Sequence, residues 1–365
     1  MRNALALALL CVLGFSIVGC SSIDAAGAPK TCDDPATRSA KDTTIAPRVA
    51  AAPGDGSQQA RKRLRGFFLQ VPGEQDSSLW KSSIDEIAAL GADTVIIQTE
   101  SYVNTAGKRN CVERLTLKAA LEEAQLKNLK VHIGLALLEE GNGNREAAKK
   151  SEWIEALIAA STDSFNRLWD EYQPYAQSGT WAGVYLPEEL WTPADPDDLG
   201  QLPMYVKQLS RLVKTQSNLK VSMSPFINSQ ANNDANATRT AFTKLFQPPT
   251  QSERAEVDVV MLQDGIGARG LGSADVAAQV PFYQAMKDAC GTRCDVWANV
   301  ESFADVSGQR VSAPWERVRT QIETLLPIAP NQVSFEYSQH WNAKGPARAG
   351  GKLLYDGFDA WRDRR

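Results

Sequence analysis

The feature that most constrains how this chain can fold is a series of eight short apolar runs separated by longer amphipathic segments. The runs are rich in β-branched and aromatic residues and are bounded by turn-forming residues, which is typical of β-strands. Their starting points lie 29 to 52 residues apart. The predicted strands, numbered first to eighth, are residues 64–71, 93–100, 130–137, 182–189, 220–227, 258–265, 295–302 and 333–338.

The segments between the strands indicate helices. Apolar residues recur at three- and four-residue spacing in residues 77–91, 115–129, 203–216 and 315–329. A strand followed by a helix, repeated eight times, predicts parallel strands with helices outside them, and eight such strands close a (β/α)8 TIM barrel. The chain has 365 residues, 43% of them hydrophobic, so residues 63–365 suffice for one large barrel domain.

Strand parity predicts which side chains face into the barrel, because alternate residues of a strand point to opposite sides. In the seventh strand, Trp297, Asn299 and Glu301 share the parity that we expect to face inward. In the fourth strand the same argument turns Tyr185 and Glu189 inward. The same argument predicts further inward-facing residues in five other strands. They are Gly66, Phe68 and Gln70 in the first strand, Gln98 and Glu100 in the second, Ser222 and Ser224 in the fifth, Gln263 or Asp264 in the sixth, and Ser334, Glu336 and Ser338 in the eighth.

Two of these side chains, Glu189 and Glu301, end the fourth and seventh strands, at the face where barrel enzymes build their sites. Most glycoside hydrolases cleave the glycosidic bond with a pair of carboxyl groups that lie on either side of it. We assign Glu189 as the general acid/base and Glu301 as the nucleophile, or as the base if the reaction inverts. A separation of roughly 5–5.5 Å between the carboxyl groups would favour retention. Glu188 is the alternative acid, and a structural carboxylate paired with a basic side chain is the alternative for either role.

Other residues at the predicted mouth are candidates for binding the substrate. Trp191, Phe303 and Trp341 follow the fourth, seventh and eighth strands, where an aromatic ring could stack on a sugar, although a single tryptophan there is more often rim packing. The remaining candidates, of which the carboxylates could equally be structural, are Gln98, Glu100, Tyr185, Glu188, Ser224, Asp264, Asn299 and Glu336.

Five segments near the ends of strands four to eight carry a family resemblance. They read VYLPEEL (184–190), SMSPFI (222–227), MLQDGIG (261–267), WANVESF (297–303) and FEYSQHW (335–341). In these motifs the chain resembles a bacterial family of TIM-barrel lipoproteins and secreted proteins known as domain of unknown function 4434, which is related to glycoside hydrolases. The resemblance implies a barrel with a carbohydrate role. With the two glutamates, we expect a retaining glycoside hydrolase that acts on an envelope or extracellular polysaccharide.

One position departs from the enzymes to which that family is related. Well-studied retaining enzymes of clan A usually place asparagine directly before the strand-four acid, and this chain has Glu188 there. That asparagine ordinarily hydrogen-bonds the 2-hydroxyl group of the sugar. A non-catalytic carbohydrate-binding lipoprotein of the cell envelope is therefore the alternative to a glycoside hydrolase, since the fold alone does not decide between them.

The N-terminus predicts export and a lipid anchor. Residues 1–20 combine Arg2 with an apolar stretch over residues 4–18 that is short for a membrane span, and they end in Ile-Val-Gly-Cys, which resembles a bacterial lipobox. We expect Cys20 to be lipidated, an incidental cysteine after an ordinary signal peptide being the alternative. Residues 21–62 are polar and rich in small residues, so they predict a flexible tether. Ser21 after the cysteine favours the outer membrane of a Gram-negative bacterium.

The remaining composition argues against several classes of partner and cofactor. The net charge is −4 and no basic stripe is present, so the sequence favours no nucleic-acid partner, and we expect a monomer. Two histidines, no Cys-x-x-Cys and no phosphate-binding glycine motif between a strand and a helix predict neither a metal nor an organic cofactor. Beyond Cys11 and Cys20, four cysteines remain. In an oxidising compartment they predict two disulfides, Cys290–Cys294 and Cys32–Cys111.

Overall fold

The computed structural model describes residues 64–70, 77–104, 109–112, 114–138, 145–228, 234–247, 256–269, 272–307, 309–344 and 349–363. The predicted signal peptide, Cys20 and the predicted tether lie outside these residues. A search of the helices within the described ranges finds none with the length and apolar character that a membrane span requires.

Eight parallel strands close a barrel in sequence order, and the first strand pairs with the eighth. The predicted (β/α)8 architecture is therefore confirmed. Each strand is four to seven residues long, so most predicted strands extended a few residues into the loops that follow. The barrel strands are β1 (Gly66–Leu69), β2 (Thr94–Ile97), β3 (Lys130–Gly134), β4 (Trp181–Leu186), β5 (Lys220–Met223), β6 (Val259–Gln263), β7 (Asp295–Glu301) and β8 (Gln332–Phe335).

Amphipathic helices cover the outside of the barrel and bury their apolar stripes against the strands. Their ends follow local chemistry: the Asp234 carboxylate, for example, accepts a hydrogen bond from the Asn236 amide (2.7 Å) at the start of a helix. The helices are α1 (Ser77–Ala89), α2 (Arg114–Leu126), α3 (Arg145–Ala148), α4 (Ser151–Gln177), α5 (Leu202–Gln216), α6 (Ala235–Phe246), α7 (Val280–Cys290), α8 (Trp315–Leu325) and α9 (Ala349–Arg362), with a 3-10 helix at Ser273–Gln279 and a π-helix at Tyr337–Trp341.

The barrel interior is filled by side chains of the predicted inward parity in most strands. Gln263, which follows Val259 and Met261 at the same parity, is the inward residue of β6, and Asp264 lies behind it. The interior cluster consists of Phe68, Ile96, Tyr185, Val259, Met261, Trp297 and Val333, with Phe335 packed against it.

The parity predicted for the eighth strand is wrong. Val333 and Phe335 point into the barrel, and Ser334 points outward. The Ser334 hydroxyl donates to the Val300 carbonyl (3.0 Å) and accepts from the Trp341 indole (3.0 Å). A small hydroxyl can thus be satisfied in the outer layer, whereas the ring of Phe335 fills the wider space inside.

Two small sheets stand on the barrel. Three short strands, Arg109–Cys111, Ser101–Val103 and Ala136–Leu138, form a side sheet after β2 and β3. Phe303–Val306 and Gln309–Ser312 form an antiparallel hairpin directly after β7, which we call the mouth hairpin.

One of the two predicted disulfides lies within the described residues and is confirmed. Cys290 and Cys294 are bonded, with their Cα atoms 5.1 Å apart, between the end of α7 and the start of β7. Cys111 is also disulfide-bonded. Cys32, its predicted partner, lies outside the described residues.

Candidate active site

Three carboxylates lie at the C-terminal ends of barrel strands: Glu189 after β4, Asp264 after β6 and Glu301 at the end of β7. Asp264 and Glu301 are almost completely buried, with 0% and 3% of their surface exposed, and Glu189 is half-buried. The parallel pairing of β6 with β7 places Asp264 and Glu301 next to each other, since the ends of neighbouring parallel strands meet at one face of the barrel.

The Glu301 carboxylate is held by the backbone that follows β6. Its Oε2 atom accepts a hydrogen bond from the Ala268 amide (2.7 Å). The turn can come this close because residue 267 is glycine: a Cβ atom there would lie 2.3 Å from the Phe303 carbonyl oxygen and 3.1 Å from Glu301 Oε2. Gly267 in the loop after β6 therefore permits the close approach of the backbone to the Glu301 carboxylate.

Asp264 orders the same region from behind. One of its oxygens accepts from the Ile266 amide (3.1 Å) and the Glu301 amide (3.4 Å), and the other accepts from Gln321 Nε2 of α8 (2.6 Å). Arg317, also on α8 and buried, donates to the backbone carbonyls of Glu301 and Phe303. The end of β7 is thus fixed by a polar network that comes from α8.

Glu189 faces the polar side chains of the barrel mouth. Its Oε1 atom accepts from Gln263 Nε2 (3.2 Å), which also donates to the Ser224 carbonyl (2.8 Å). Ser224 Oγ in turn accepts from Asn299 Nδ2 (3.0 Å). Three of the inward candidates, Ser224, Gln263 and Asn299 from strands five to seven, are therefore brought together with Glu189.

Glu188 is buried, with 2% of its surface exposed. Burial raises the pKa of Tyr205 of α5, and the charge of Glu188 adds to that rise. The hydrogen bond from Gln263 to the carboxylate of the neighbouring Glu189 makes Glu189 our candidate for the acid.

Burial raises the pKa of all three carboxyl groups, and the negative charge of Glu301 adds to the rise for Asp264 and Glu189. Burial raises the pKa of Asp264 to about 7, and the negative charge of Glu301 adds to the effect. For Glu189, burial again raises the pKa, the Gln263 hydrogen bond opposes the rise, and the charge of Glu301 reinforces it.

Glu301 differs from Glu189 in the number of groups that favour its ionised form. Burial raises its pKa, while the Ala268 hydrogen bond and the charges of Arg310, Arg269 and Arg317 act in the opposite direction. The charges of three arginines favour the ionised form of Glu301, whereas one arginine acts on Glu189. Such a difference in environment is typical of a pair in which one carboxyl group is an ionised base or nucleophile and the other a protonated acid.

The predicted residues on the β1, β2 and β8 side form a second polar group. Gln98 accepts a hydrogen bond from Gln70, and Gln70 accepts one from Gln339 Nε2 (2.8 Å). Glu336 is fully buried and accepts from the amides of Gln70 (3.3 Å), Ser338 (2.9 Å) and Gln339 (2.5 Å). Glu336 therefore caps the π-helix, and its carboxylate is occupied by backbone donors.

Glu100 lies apart from the carboxylate group. Its Oε1 atom pairs with Arg167 of α4 (2.8 Å) and lies 3.7 Å from Arg109 of the side sheet. The same atom accepts a hydrogen bond from Ser101 Oγ (2.6 Å), so the buried Glu100 carboxylate links the side sheet to the partly exposed Arg167 of α4.

The three aromatic residues predicted to stack on sugar rings are all buried. Trp341 packs edge-on against Phe67 and Phe358 in the layer between the barrel and α9, with no exposed surface. Trp191 is 1% exposed and lies beneath Arg145. Phe303 is the one of the three that borders the mouth, where its ring lies 6.3 Å from that of Phe335.

Several residues of the site were not predicted from the sequence. Gln321 and Arg317 lie on a helix, far from any strand end, and Arg310 lies on the mouth hairpin, whose strands were not predicted. Phe335 was assigned the wrong parity. A buried glutamine and arginine on the inner face of an amphipathic helix are the signal that could have pointed to α8. Within the described ranges, no group of three or more His, Cys, Asp or Glu side chains is arranged to hold a metal ion.

Comparisons with solved structures show the same barrel in carbohydrate-active proteins. A candidate α-L-fucosidase from Bacteroides thetaiotaomicron VPI-5482 superposes with a TM-score of 0.63 at 17% identity, covering 84% of this chain and 97% of that one. An endo-1,4-β-mannanase from Rhizomucor miehei gives 0.54 at 11% identity, with 83% and 95% covered. A family 5 glycoside hydrolase from Prevotella bryantii B14 gives 0.51 at 11% identity, with 86% and 100% covered. At these identities the likeness shows a glycoside hydrolase-like fold.

No curated protein sequence matches this chain. A family model does match, over residues 64–349, which is the whole barrel up to the start of α9. The protein therefore belongs to the family described as Domain of unknown function (DUF4434), as its strand-end motifs predicted.

Proposed function

We propose that the protein is a retaining glycoside hydrolase that acts on an envelope or extracellular polysaccharide. The observation that carries this proposal is the pair Glu189 and Glu301 at the ends of the fourth and seventh barrel strands, one half-buried at the mouth and the other buried among cations. The structural neighbours, which include a mannanase and a family 5 glycoside hydrolase, support this class of reaction.

The first step in the proposed reaction forms a glycosyl ester. The Glu301 carboxylate attacks the anomeric carbon while the bond from that carbon to the leaving oxygen breaks. Glu189 gives its proton to the leaving oxygen, and its raised pKa favours the protonated form that this step needs. The Ala268 amide and the surrounding arginines favour the ionised form that Glu301 needs before attack.

The second step releases the sugar. Glu189, now a carboxylate, takes a proton from water as the water oxygen attacks the anomeric carbon and the ester bond to Glu301 breaks. Gln263 holds Glu189 through its amide, and Asn299 and Ser224 fix the surroundings of Gln263 through hydrogen bonds. Both glutamates end the cycle in their starting protonation states.

The alternative function is carbohydrate binding without cleavage. The observation that favours it is Glu188, which occupies the position before the strand-four acid and is buried near Tyr205. A side chain in that position and orientation does not supply the amide that related retaining enzymes present to the 2-hydroxyl group.

The test is a panel of polysaccharides and aryl glycosides, assayed with the parent protein and the Glu189→Gln and Glu301→Gln variants. We expect cleavage by the parent and a loss of at least about a hundredfold in either variant, because each removes a group that acts in the transition state. Glu152→Gln, an exposed glutamate on α4, is the matched control and should retain the parent rate.

Cleavage that survives both active-site substitutions would contradict the proposal. If the parent cleaves nothing while all three proteins bind the same glycans equally well, the binding alternative is favoured instead. Thermal unfolding of each variant checks that a lost rate does not reflect a lost fold.

A further inference from the structure

The mouth hairpin turns one of its faces toward the carboxylate site. Opposed residues of an antiparallel pair share a face, so Phe303, Asp305, Arg310 and Ser312 lie on one side of the hairpin. Phe303 on this face is buried and borders Phe335, and the Ser312 hydroxyl donates to the His340 carbonyl (2.8 Å). This face therefore covers the rim of the barrel beside Glu301.

Arg310 is placed on this face by an aromatic ring. Its guanidinium carbon lies 4.7 Å from the centroid of the Phe303 ring, a cation–π contact that fixes the plane of the group. The Phe303 ring is in turn stacked on His340, with the ring centroids 5.4 Å apart. Arg310 itself is exposed, and none of the ion pairs among the described residues involves it.

The other two arginines near Glu301 direct their donors at the backbone. Arg269 donates to the carbonyls of Gly265 (2.7 Å) and Asp264 (3.1 Å), and Arg317 to those of Glu301 and Phe303. Arg310, in contrast, is exposed and stacks on the Phe303 ring. Its charge lowers the pKa of both Glu301 and Glu189, so it acts across the space where a sugar would lie.

We propose that Arg310 binds an anionic group of the substrate, and that the substrate is therefore an acidic polysaccharide. This inference rests on the proposed carbohydrate site. A planar guanidinium group pairs through two parallel hydrogen bonds with the oxygens of a carboxylate or a sulfate ester, a geometry and charge that a single neutral hydroxyl does not match. A cation on the rim also offsets the repulsion that Glu189, Asp264 and Glu301 exert on an acidic sugar.

The experiment measures binding in the full chain carrying Glu301→Gln, so that cleavage does not interfere. The probes are polygalacturonate, alginate and hyaluronan, each compared with its methyl-esterified form, together with dextran sulfate compared with dextran. We expect at least one acidic polymer to bind more tightly than its neutral counterpart. Adding Arg310→Gln should weaken that binding by about tenfold or more, because one charge-assisted pair is lost. Arg310→Lys keeps the positive charge and should therefore bind more tightly than Arg310→Gln.

Arg319→Gln is the matched control, because Arg319 is an arginine on α8 that pairs with Glu316 and Glu323. Carboxylated and sulfated probes distinguish the two kinds of anionic group. Equal binding of every acidic polymer and its neutral form, or equal losses from Arg310→Gln and Arg319→Gln, would overturn the proposal. Failure of the hydrolase proposal has a different signature, since the parent would then cleave nothing while charge-selective binding through Arg310 remained.

Discussion

At the residue scale, the site depends on a buried carboxylate, Asp264, that lies behind the proposed catalytic pair Glu189 and Glu301. Asp264 receives two backbone amides on one oxygen and the Gln321 side chain on the other, and one of those amides belongs to Glu301. All of these contacts use Asp264 as an acceptor. Its role is therefore to position the end of β7, although its raised pKa makes it resemble a catalytic acid.

Asp264→Asn tests this positioning role. An asparagine has one acceptor oxygen, so its amide group must face either the backbone amides or the Gln321 amide, donor against donor. We expect a loss of about 1–3 kcal/mol in the free energy of unfolding, measured in urea, and a lower kcat with a smaller change in KM. Asp288→Asn, which replaces an exposed acceptor on α7, is the control. Unchanged stability and kcat would contradict the role.

Glu336 gives the fold a predictable dependence on pH. Burial raises its pKa from 4.5 to about 7, even though three backbone amides favour the ionised form. Because the pKa in the folded state lies above that in the unfolded state, the folded state holds a proton that the unfolded state has already lost. Through this group, stability is greatest below about pH 4.5 and falls as the pH rises toward about 7.

Glu336→Gln should make the stability of the protein less sensitive to pH. In the parent, the free energy of unfolding should fall between pH 4.5 and pH 7 as Glu336 loses its proton. In the variant we expect this fall to be smaller by at least about 1 kcal/mol. Glu152→Gln is the control for an exposed glutamate. A slope for Glu336→Gln that equals the parent's would show that Glu336 does not carry this dependence.

At the element scale, the barrel was predictable because each strand and helix repeats the same pattern of residues. Parity placed Tyr185, Asn299 and Glu301 inward, since their strands carry a continuous apolar line on the opposite side. The argument failed at β8, where Ser334 is satisfied outside the barrel and Phe335 fills the inside. Parity assumes that polar side chains turn toward the site, and a serine that bonds to the backbone does not obey it.

Elements that interrupt the repeat were not predictable in the same way. The strands of the side sheet and the mouth hairpin are only three or four residues long, which is too short for an alternating pattern to stand out. Those of the mouth hairpin also carry the exposed charges of Asp305 and Arg310. Arg310 was missed for this reason. The contacts of Gln321 and Arg317 depend on how α8 packs on β7, which the spacing of residues along the chain does not specify.

The Cys290–Cys294 disulfide belongs to the opposite end of β7 from Glu301. We expect the double substitution to serine to lower the free energy of unfolding by about 2 kcal/mol, the chain-entropy value for so short a loop. The rate of any cleavage should not change, because the loop lies at the N-terminal end of the barrel. Denaturant unfolding beside the activity assay checks both, and a lost rate at full stability would contradict the separation.

At the scale of the whole molecule, we propose that the barrel is held at the cell envelope by a lipid on Cys20. Acyl chains contribute roughly 0.8 kcal/mol for each buried methylene group, so two or more chains anchor a protein stably. We expect Cys20→Ala to move the protein from the membrane fraction to the soluble fraction after cell lysis, with Cys11→Ala as the matched control. Unchanged membrane fractionation of Cys20→Ala would contradict the anchor.

The most direct measurement of the proposed chemistry is peptide mass spectrometry of the Glu189→Gln variant. It is incubated with a panel of aryl glycosides that have good leaving groups, uronic acids included. Such substrates need no acid to form the glycosyl ester, but its hydrolysis needs the missing base, so the ester should accumulate. We predict a mass gain of one glycosyl unit on the peptide that contains Glu301. A glycosyl adduct on a different peptide would contradict Glu301 as the nucleophile. The same holds if no adduct forms with any of the glycosides that the parent protein cleaves.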